Sequence, residues 1–308
     1  MTPLSTGDIM PVLSGNPKAC SIGTIMKKTG IFFHYQDGER LRDFPDALEG
    51  ILSRDNVLYY DAFYPGKPPT DYDLELVPLD LVRRVHSDRM VESVRRTHDF
   101  DGVMLSVSGT VAAARRIWSG EIDNAFVFTG YGDHHAGFDS FGGGCYFNGA
   151  AIAISDLRAL FNAKRFAVID TDAHHGDGSW EIFKDDINVL YMCLCHGGDF
   201  EENNNVNVNV SWQVSDAQYV DLVKKNFAPR AAAFRPEIIF WNWGYDGTQG
   251  EYGDMGLSTG AHTMMAQELK RISNEVCRGR LIVVLCGGSR RDMAQSLIPP
   301  LIRVLAGE

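Results

Sequence analysis

The sequence has no C-x-x-C pair, no internal repeat, no low-complexity segment, no long apolar run and no basic cluster larger than a pair. Each absence removes a class of protein. Without ~20 consecutive apolar residues there is no candidate transmembrane helix, so no membrane partner is expected. The opening MTPLSTGDIMPVLSGNP lacks the basic start and apolar stretch of a secretory leader, and a reducing, cytoplasmic setting is the expectation. Cys20, Cys145, Cys193, Cys195, Cys277 and Cys286 therefore need no disulfide framework, and a chain of 308 residues needs no such staples. Positive charge is also short. Lysine and arginine number 29 against 40 acidic residues, for a net charge of −11, and such a chain repels phosphate backbones. Nucleic acid is not an expected partner, and the pairs Arg83-Arg84, Arg95-Arg96, Arg115-Arg116 and Arg290-Arg291 suit solvated helix faces.

What is there is a globular composition, 44% hydrophobic and 22% charged, which excludes a mainly disordered chain and a coiled coil. We expect an N-terminal arm over residues 1–28 and a single domain over 29–308. Short β-branched and aromatic runs at 31–34, 57–60, 125–129, 166–170, 189–195, 238–242 and 281–286 read as strands. Several are apolar at nearly every position, as parallel strands buried on both faces are. Helical patterns at 79–96, 110–118, 216–234 and 259–278 alternate with them, which predicts an α/β fold, a mostly parallel sheet with helices on both faces.

Five of these strands run into chemically loaded turns: GYGDHHAG after 129, DTDAHHGDG from 170, CHGGD from 195, NWGYDG from 242 and GGSRRD from 287. In open parallel sheets, ligands bind at the carboxyl ends of the strands. Asp172 and His174, two apart in an extended strand end, point to the same side and offer a carboxylate and an imidazole to a borderline divalent ion. Asp246, in a glycine-flanked turn, can supply a third ligand, and three suffice where a catalytic metal keeps positions open for water and substrate. One Asp or His alone would read as a polar turn capping a helix near Ser179; nine residues packed with these types read as a site. His134 and His135 suit the proton transfers that a metal-activated water requires, with Asp170 and Asp177 to orient them. Taken alone, the pair would serve equally as a satisfied structural pair. Gly130, Gly132, Gly137 and Gly142–Gly144 allow a narrow channel beside it.

These segments resemble the histone deacetylase and acetylpolyamine amidohydrolase family, whose members share a three-layer arginase-like fold. The segments that carry the resemblance, in family order, are FFHYQDGERLRDFP from residue 32, DHHAGFDSFGGGCYFNGAAIAI from 133, VIDTDAHHGDGSWEIF from 168, VNVNVSWQVSDAQY from 206 and RPEIIFWNWGYD from 235. The resemblance covers most of the chain. It implies a zinc-dependent hydrolase of N-acyl amides (Fe²⁺ is the alternative metal) in which Asp172, His174 and Asp246 hold the ion. It further implies that His134 and His135 are the base and acid pair, with Asp170 and Asp177 the carboxylates behind them.

Three departures stand out. The family has Gly-Gly-Tyr after its last strand, where the tyrosine holds the oxyanion; here Ser289 follows Gly287-Gly288, and serine is too short to reach that point. Losing one oxyanion donor costs ~10²–10³ in rate, so either another group substitutes, with Tyr252, Tyr245 and Arg290 the candidates, or the enzyme is slow on ordinary acetyl amides, or a nonstandard substrate brings its own donor. Gly143-Gly144 stands where acyl-lysine deacetylases carry Gly-Phe, so the channel at Gly144 lacks an aromatic wall unless Phe138, Phe141 or Phe200 refills it. Leu194 precedes Cys195-His196 where a hydroxyl residue commonly helps to bind structural potassium, which leaves potassium open. Trp241 and Trp243 read as core, Cys145 as packing, and His196 as either a site residue or a cap.

The reading is an amidohydrolase acting on a small acylated amine, such as an acylpolyamine or a biosynthetic intermediate. An acyl-lysine protein deacetylase is the alternative substrate reading. A metal-containing binder of acylated ligands with negligible turnover is the alternative class, and a homo-oligomer is left open.

Overall fold

The computed structural model describes residues 27–33, 47–61 and 75–308. The expected N-terminal arm, apart from residues 27 and 28, lies outside them, as do Cys20 and residues 34–45 of the FFHYQDGERLRDFP segment. Among the described residues, nine strands form one sheet: β1 (Thr29–Phe33), β2 (Val57–Asp61), β3 (Asn124–Val127), β4 (Phe166–Asp170), β5 (Val189–Cys195), β6 (Phe200–Glu202), β7 (Asn205–Asn209), β8 (Ile238–Trp243) and β9 (Leu281–Leu285). Their order is β2-β1-β3-β9-β8-β4-β5-β7-β6, and only the β6–β7 pair is antiparallel.

Strand periodicity divides the buried residues between two cores. Along β8, Ile239, Trp241 and Trp243 enter one core, while Ile238 and Phe240 enter the other. β5 divides in the same way, with Leu190, Met192 and Leu194 on one face and Tyr191, Cys193 and Cys195 on the opposite face. The first face is covered by α1 (Glu49–Leu52), α7 (Asp216–Leu222), α8 (Ala228–Phe234), α9 (Thr259–Cys277) and α10 (Arg291–Ala306). The second is covered by α2 (Leu79–Val82), α3 (Asp88–Arg95), α4 (Phe100–Ser119), α5 (Gly149–Phe161) and α6 (Asp177–Phe183). The three-layer α/β fold that the alternating pattern predicts is the fold observed. Trp241 and Trp243 are fully buried in it and donate to Thr171 Oγ1 (2.7 Å) and His262 Nδ1 (2.9 Å).

Two expected helices are interrupted. The 79–96 pattern divides into α2, which ends at Val82, and α3, which Ser87 caps, its hydroxyl accepting from Met90 N. The 216–234 pattern contains a π turn, Val223–Phe227, just before Pro229 sits in the first turn of α8, where a missing N–H costs nothing.

The five central strands in spatial order, β3-β9-β8-β4-β5, are the five whose carboxyl ends carry the loaded turns. Parallel pairing throughout this stretch brings all five turns to one edge of the sheet.

Candidate active site

His134 and His135 follow β3 in an irregular turn, their ring centroids 4.1 Å apart. Asp170, the last residue of β4, places Oδ2 2.9 Å from His134 Nδ1 and receives the Tyr191 hydroxyl at 2.9 Å. Asp177 opens α6 and holds His135 Nδ1 at 2.6 Å. With each Nδ1 engaged by a carboxylate, Nε2 is the atom left to work on a substrate. Burial alone would lower His134, but the charges of Asp170, Asp172 and Asp246 outweigh it and raise its pKa to about 10. His135 is lowered, first by burial and then by the charge of His134.

Asp172 and His174 lie in the turn beyond β4, and Asp246 lies beyond β8. One ligand atom from each falls within 4.8 Å of the others, a grouping able to hold a metal ion. His174 Nδ1 stands 3.0 Å from Asp172 Oδ1 and 2.9 Å from Asp246 Oδ2. The two carboxylates are buried and are wrapped by backbone: Gly287 N donates to Asp172 Oδ2 (2.8 Å) and Ala173 N to Asp246 Oδ1 (3.2 Å). That close wrapping requires glycine. A Cβ on Gly287 would lie 2.3 Å from Asp172 Oδ2, and one on Gly244 would lie 2.5 Å from an oxygen of each carboxylate.

Three features fit a divalent cation at this cluster. Asp246 Oδ2 is buried and makes no hydrogen bond of good geometry, although His174 Nδ1 is close. Burial and the neighbouring Asp172 charge push Asp246 up to about 7, a repulsion that a cation would relieve. His174 is raised to about 10 by its hydrogen bond to Asp172 and the nearby carboxylate of Asp246, so that without an ion a proton on imidazole takes the cation's place. The donor set of one nitrogen and two carboxylates suits zinc and also ferrous iron.

A cavity of about 290 Å³ opens over the cluster, lined by Gly130, Gly132, both histidines, Gly143, Gly144, Cys145, Asp172, His174, Tyr252 and the Cys286–Gly288 turn. Gly143 (φ +59°) lies so close to His135 that a Cβ would sit 2.7 Å from the ring, whereas a Cβ on Gly144 (φ +79°) would meet none of the described residues within 4 Å. Cys145 is buried, which raises its thiol well above the ordinary range and leaves it inert.

Several expected residues stand apart from this cavity. Ser289 turns away, its hydroxyl donating to Glu251 Oε2 (2.8 Å) while its N–H and that of Arg290 go to the same carboxylate. The Arg290 guanidinium is exposed and paired with Asp292. Tyr245 is buried and donates to the Arg290 carbonyl (3.3 Å). Of the three residues expected to substitute for the tyrosine, only Tyr252 lines the cavity: its ring stacks on His174 at 5.5 Å and its hydroxyl accepts from Gly288 N at 3.0 Å. None of the three phenylalanines expected at the Gly144 wall lines this cavity. Phe141 stacks on Tyr146, Phe138 lines a separate pocket, and Phe200 on β6 packs against Trp180 at 4.7 Å. His196 bonds the Val210 carbonyl and stacks on Trp212.

Sequence reasoning did not single out Tyr191, which anchors Asp170, or Asp133, whose buried carboxylate accepts from Ala150 N at the start of α5. The only available signal for Asp133 was its place beside the histidine pair.

Comparison with known proteins bears on this arrangement. The family model described as the histone deacetylase domain matches residues 85–305. Histone deacetylase 15 of Arabidopsis thaliana is 31% identical over 213 residues, covering 63% of this chain and 38% of its own length. Histone deacetylase HDA1 of Candida albicans is 27% identical over 66% of this chain and 27% of its own. This chain thus spans less than half the length of these two relatives. A probable deacetylase of Archaeoglobus fulgidus is 30% identical over 291 residues, 84% of this chain and 81% of that protein. The crystal structure of the HDA15 HD domain matches with a TM-score of 0.78 at 22% identity, over 92% of this chain and 90% of that one, which shows the shared fold. No helix among the described residues is long and apolar enough to cross a membrane. With the family model spanning the histidine turn, the DTDAHHGDG turn and both later strand ends, the chain belongs to the histone deacetylase domain family.

Proposed function

We propose that this protein is a zinc-dependent amidohydrolase that removes an acyl group from a small amine, acting as a single catalytic domain over residues 29–308. The observation that carries the reading is the convergence, in one cavity, of the Asp172–His174–Asp246 cluster with two carboxylate-backed imidazoles. Asp172, His174 and Asp246 would hold zinc, which when bound supplies Lewis acidity towards the acyl carbonyl and the attacking water and offsets the negative field around His134.

The remaining work belongs to the chain. His134, with Nδ1 held by Asp170, accepts at Nε2 the proton of the water that adds to the acyl carbon. His135, with Nδ1 held by Asp177, delivers a proton from Nε2 to the amine nitrogen as the C–N bond breaks. Tyr252, anchored by Gly288 N, offers its hydroxyl to the developing oxyanion in the role that Ser289 cannot fill. Among the described residues, nothing lies within 4 Å of a Cβ built on Gly144, which supports a compact or branched amine over an aromatic-walled channel for acyl-lysine. The net charge of −11 favours a cationic amine.

Turnover by zinc-loaded protein against acetylpolyamines, acetyl-lysine peptides and bulkier acyl amides tests the reading, with Asp172→Ala as the blank. Hydrolysis above the blank that favours a small amine supports it. Tight zinc binding with no turnover of any substrate would replace it with a binder of acylated ligands. A preference for peptide would retain the chemistry and overturn the substrate.

A further inference from the structure

A second group of metal-ligating side chains lies beside the first and has no part in the reaction proposed. Cys193 and Cys195 are two residues apart on β5 and so project from the same face of the sheet, both fully buried. His175, half-buried in the turn between β4 and α6, brings Nδ1 to 3.5 Å from Cys195 Sγ. The two sulfurs and the imidazole nitrogen all lie within 4.8 Å of one another. Asn207 on the neighbouring β7 adds an oxygen: its Oδ1 is 3.1 Å from Cys195 Sγ and 2.9 Å from His175 Nδ1. Its orientation is fixed, because Nδ2 donates to the Gly198 carbonyl at 2.7 Å and Oδ1 must therefore face the sulfur.

We propose that His175, Cys193 and Cys195 bind a second metal ion of thiophilic character, such as Zn²⁺, Cd²⁺ or Cu⁺. With Zn–S of ~2.3 Å and Zn–N of ~2.0–2.1 Å, tetrahedral geometry requires a sulfur-to-nitrogen edge of ~3.6 Å and a sulfur-to-sulfur edge of ~3.8 Å. The observed 3.5 Å edge is already near that length, and the remaining edges need only side-chain rotation within the 4.8 Å cluster. Two thiolates and an imidazole select soft and borderline ions, in contrast to the oxygen-rich Asp172–His174–Asp246 cluster. Asn207 Oδ1 or a water completes four-coordination. Binding a divalent ion converts both thiols to thiolates and releases two protons.

A disulfide is the competing fate of two neighbouring cysteines, and the strand forbids it. Residues two apart on an extended strand have parallel Cβ vectors and lie ~6.6 Å apart, whereas a disulfide needs Cβ atoms at ~3.5–4.5 Å. β5 is hydrogen-bonded to β4 on one side and β7 on the other, so closing that gap would tear two ladders. His175 directly follows His174 in the chain, so an ion at the second site would tie the 171–176 turn to β5 and β7 without touching the acyl amide.

Cadmium titration of the metal-free full-length chain tests this, in a phosphine reductant that keeps thiols reduced without adding thiol. Ultraviolet absorption reports sulfur-to-cadmium charge transfer, which the first cluster cannot produce because it contains no sulfur. The expected result is a charge-transfer band that saturates at one equivalent in the wild type and in Cys145→Ser. The band should be absent in a Cys193→Ser/Cys195→Ser variant that still binds one cadmium at the oxygen-rich cluster. His175→Gln, which keeps both thiols should the double variant fail to fold, should move the titration midpoint to higher cadmium. No band in the wild type, loss of the band in Cys145→Ser, or an unchanged midpoint in His175→Gln would each overturn the assignment. None of these outcomes depends on whether the protein hydrolyses an acyl amide.

Discussion

Replacing Tyr252 with phenylalanine isolates one oxygen atom. The ring of Tyr252 stacks on His174 at 5.5 Å with an interplanar angle of 27°, and phenylalanine preserves that contact. What disappears is the hydroxyl, which in the resting protein accepts from Gly288 N at 3.0 Å. Loss of that acceptor costs ~1 kcal/mol of folding stability. If the hydroxyl also serves the oxyanion, the loss in turnover is much larger, ~10²–10³ in kcat or roughly 3–4 kcal/mol of transition-state stabilisation. Substrate binding by the remainder of the cavity is preserved, so KM stays close to the wild-type value while kcat falls. Ser289→Ala is the control: its hydroxyl is committed to Glu251 at 2.8 Å, and kcat should hardly change. Steady-state kinetics of zinc-loaded Tyr252→Phe on the best acyl amide, with a urea melt of the same sample, separates the two effects. A kcat within about threefold of wild type, far short of the loss of an oxyanion donor, would refute the assignment of Tyr252.

Three further outcomes follow from the geometry. Gly143→Ala forces a Cβ to 2.7 Å from the His135 ring at φ +59°, so activity should be lost along with ~1–2 kcal/mol of stability; Gly142→Ala, whose Cβ meets none of the described residues within 4 Å, should be silent in the same kinetic and melting assays. Burial lowers His86 and His262 from 6.5 to about 4, each keeping an imidazole neutral. Between those values the unfolded chain binds more protons than the folded one, so stability is full above 6.5 and falls as pH drops towards 4. Each histidine should cost ~2 kcal/mol by pH 5, while Asp246, raised to about 7, gains stability over the same range; a His262→Gln variant should therefore lose ~2 kcal/mol less than the wild type between pH 7 and pH 5 in urea melts, and an equal change in both proteins would contradict this. Zinc at one hundred times its dissociation constant should raise the stability of the metal-free protein by ~2.7 kcal/mol through each site that binds it, and Asp246→Asn should remove the share of the first cluster in a thermal melt.

What the sequence made legible follows from how local each signal is. Asp170, Asp172, His174 and Asp177 fall within one turn, and the pairing of β4 with β8 brings Asp246 to them, so residue types near strand ends were enough to suggest the cluster. The sheet was legible because buried parallel strands are apolar at nearly every position. The role of Ser289 was not, since its withdrawal depends on Glu251, a carboxylate 38 residues away in sequence. Phe200 was expected near the channel; the antiparallel edge strand β6 instead turns it onto Trp180. α10 gave no helical signal because Pro299 and Pro300 interrupt it, although the apolar face from Leu297 to Leu305 packs well enough to sustain the helix.

The sheet order has a kinetic consequence. β9, the last strand in the chain, lies between β3 and β8, and the Gly287 N–H that secures Asp172 arrives from 115 residues downstream. Contacts of that sequence separation close late, because a long loop must be ordered before they return any stabilisation. A refolding chain therefore acquires its helices and its β4–β5 pair well before the two carboxylates are held in place. During synthesis, the competent centre is delayed until the final strand has been delivered and inserted.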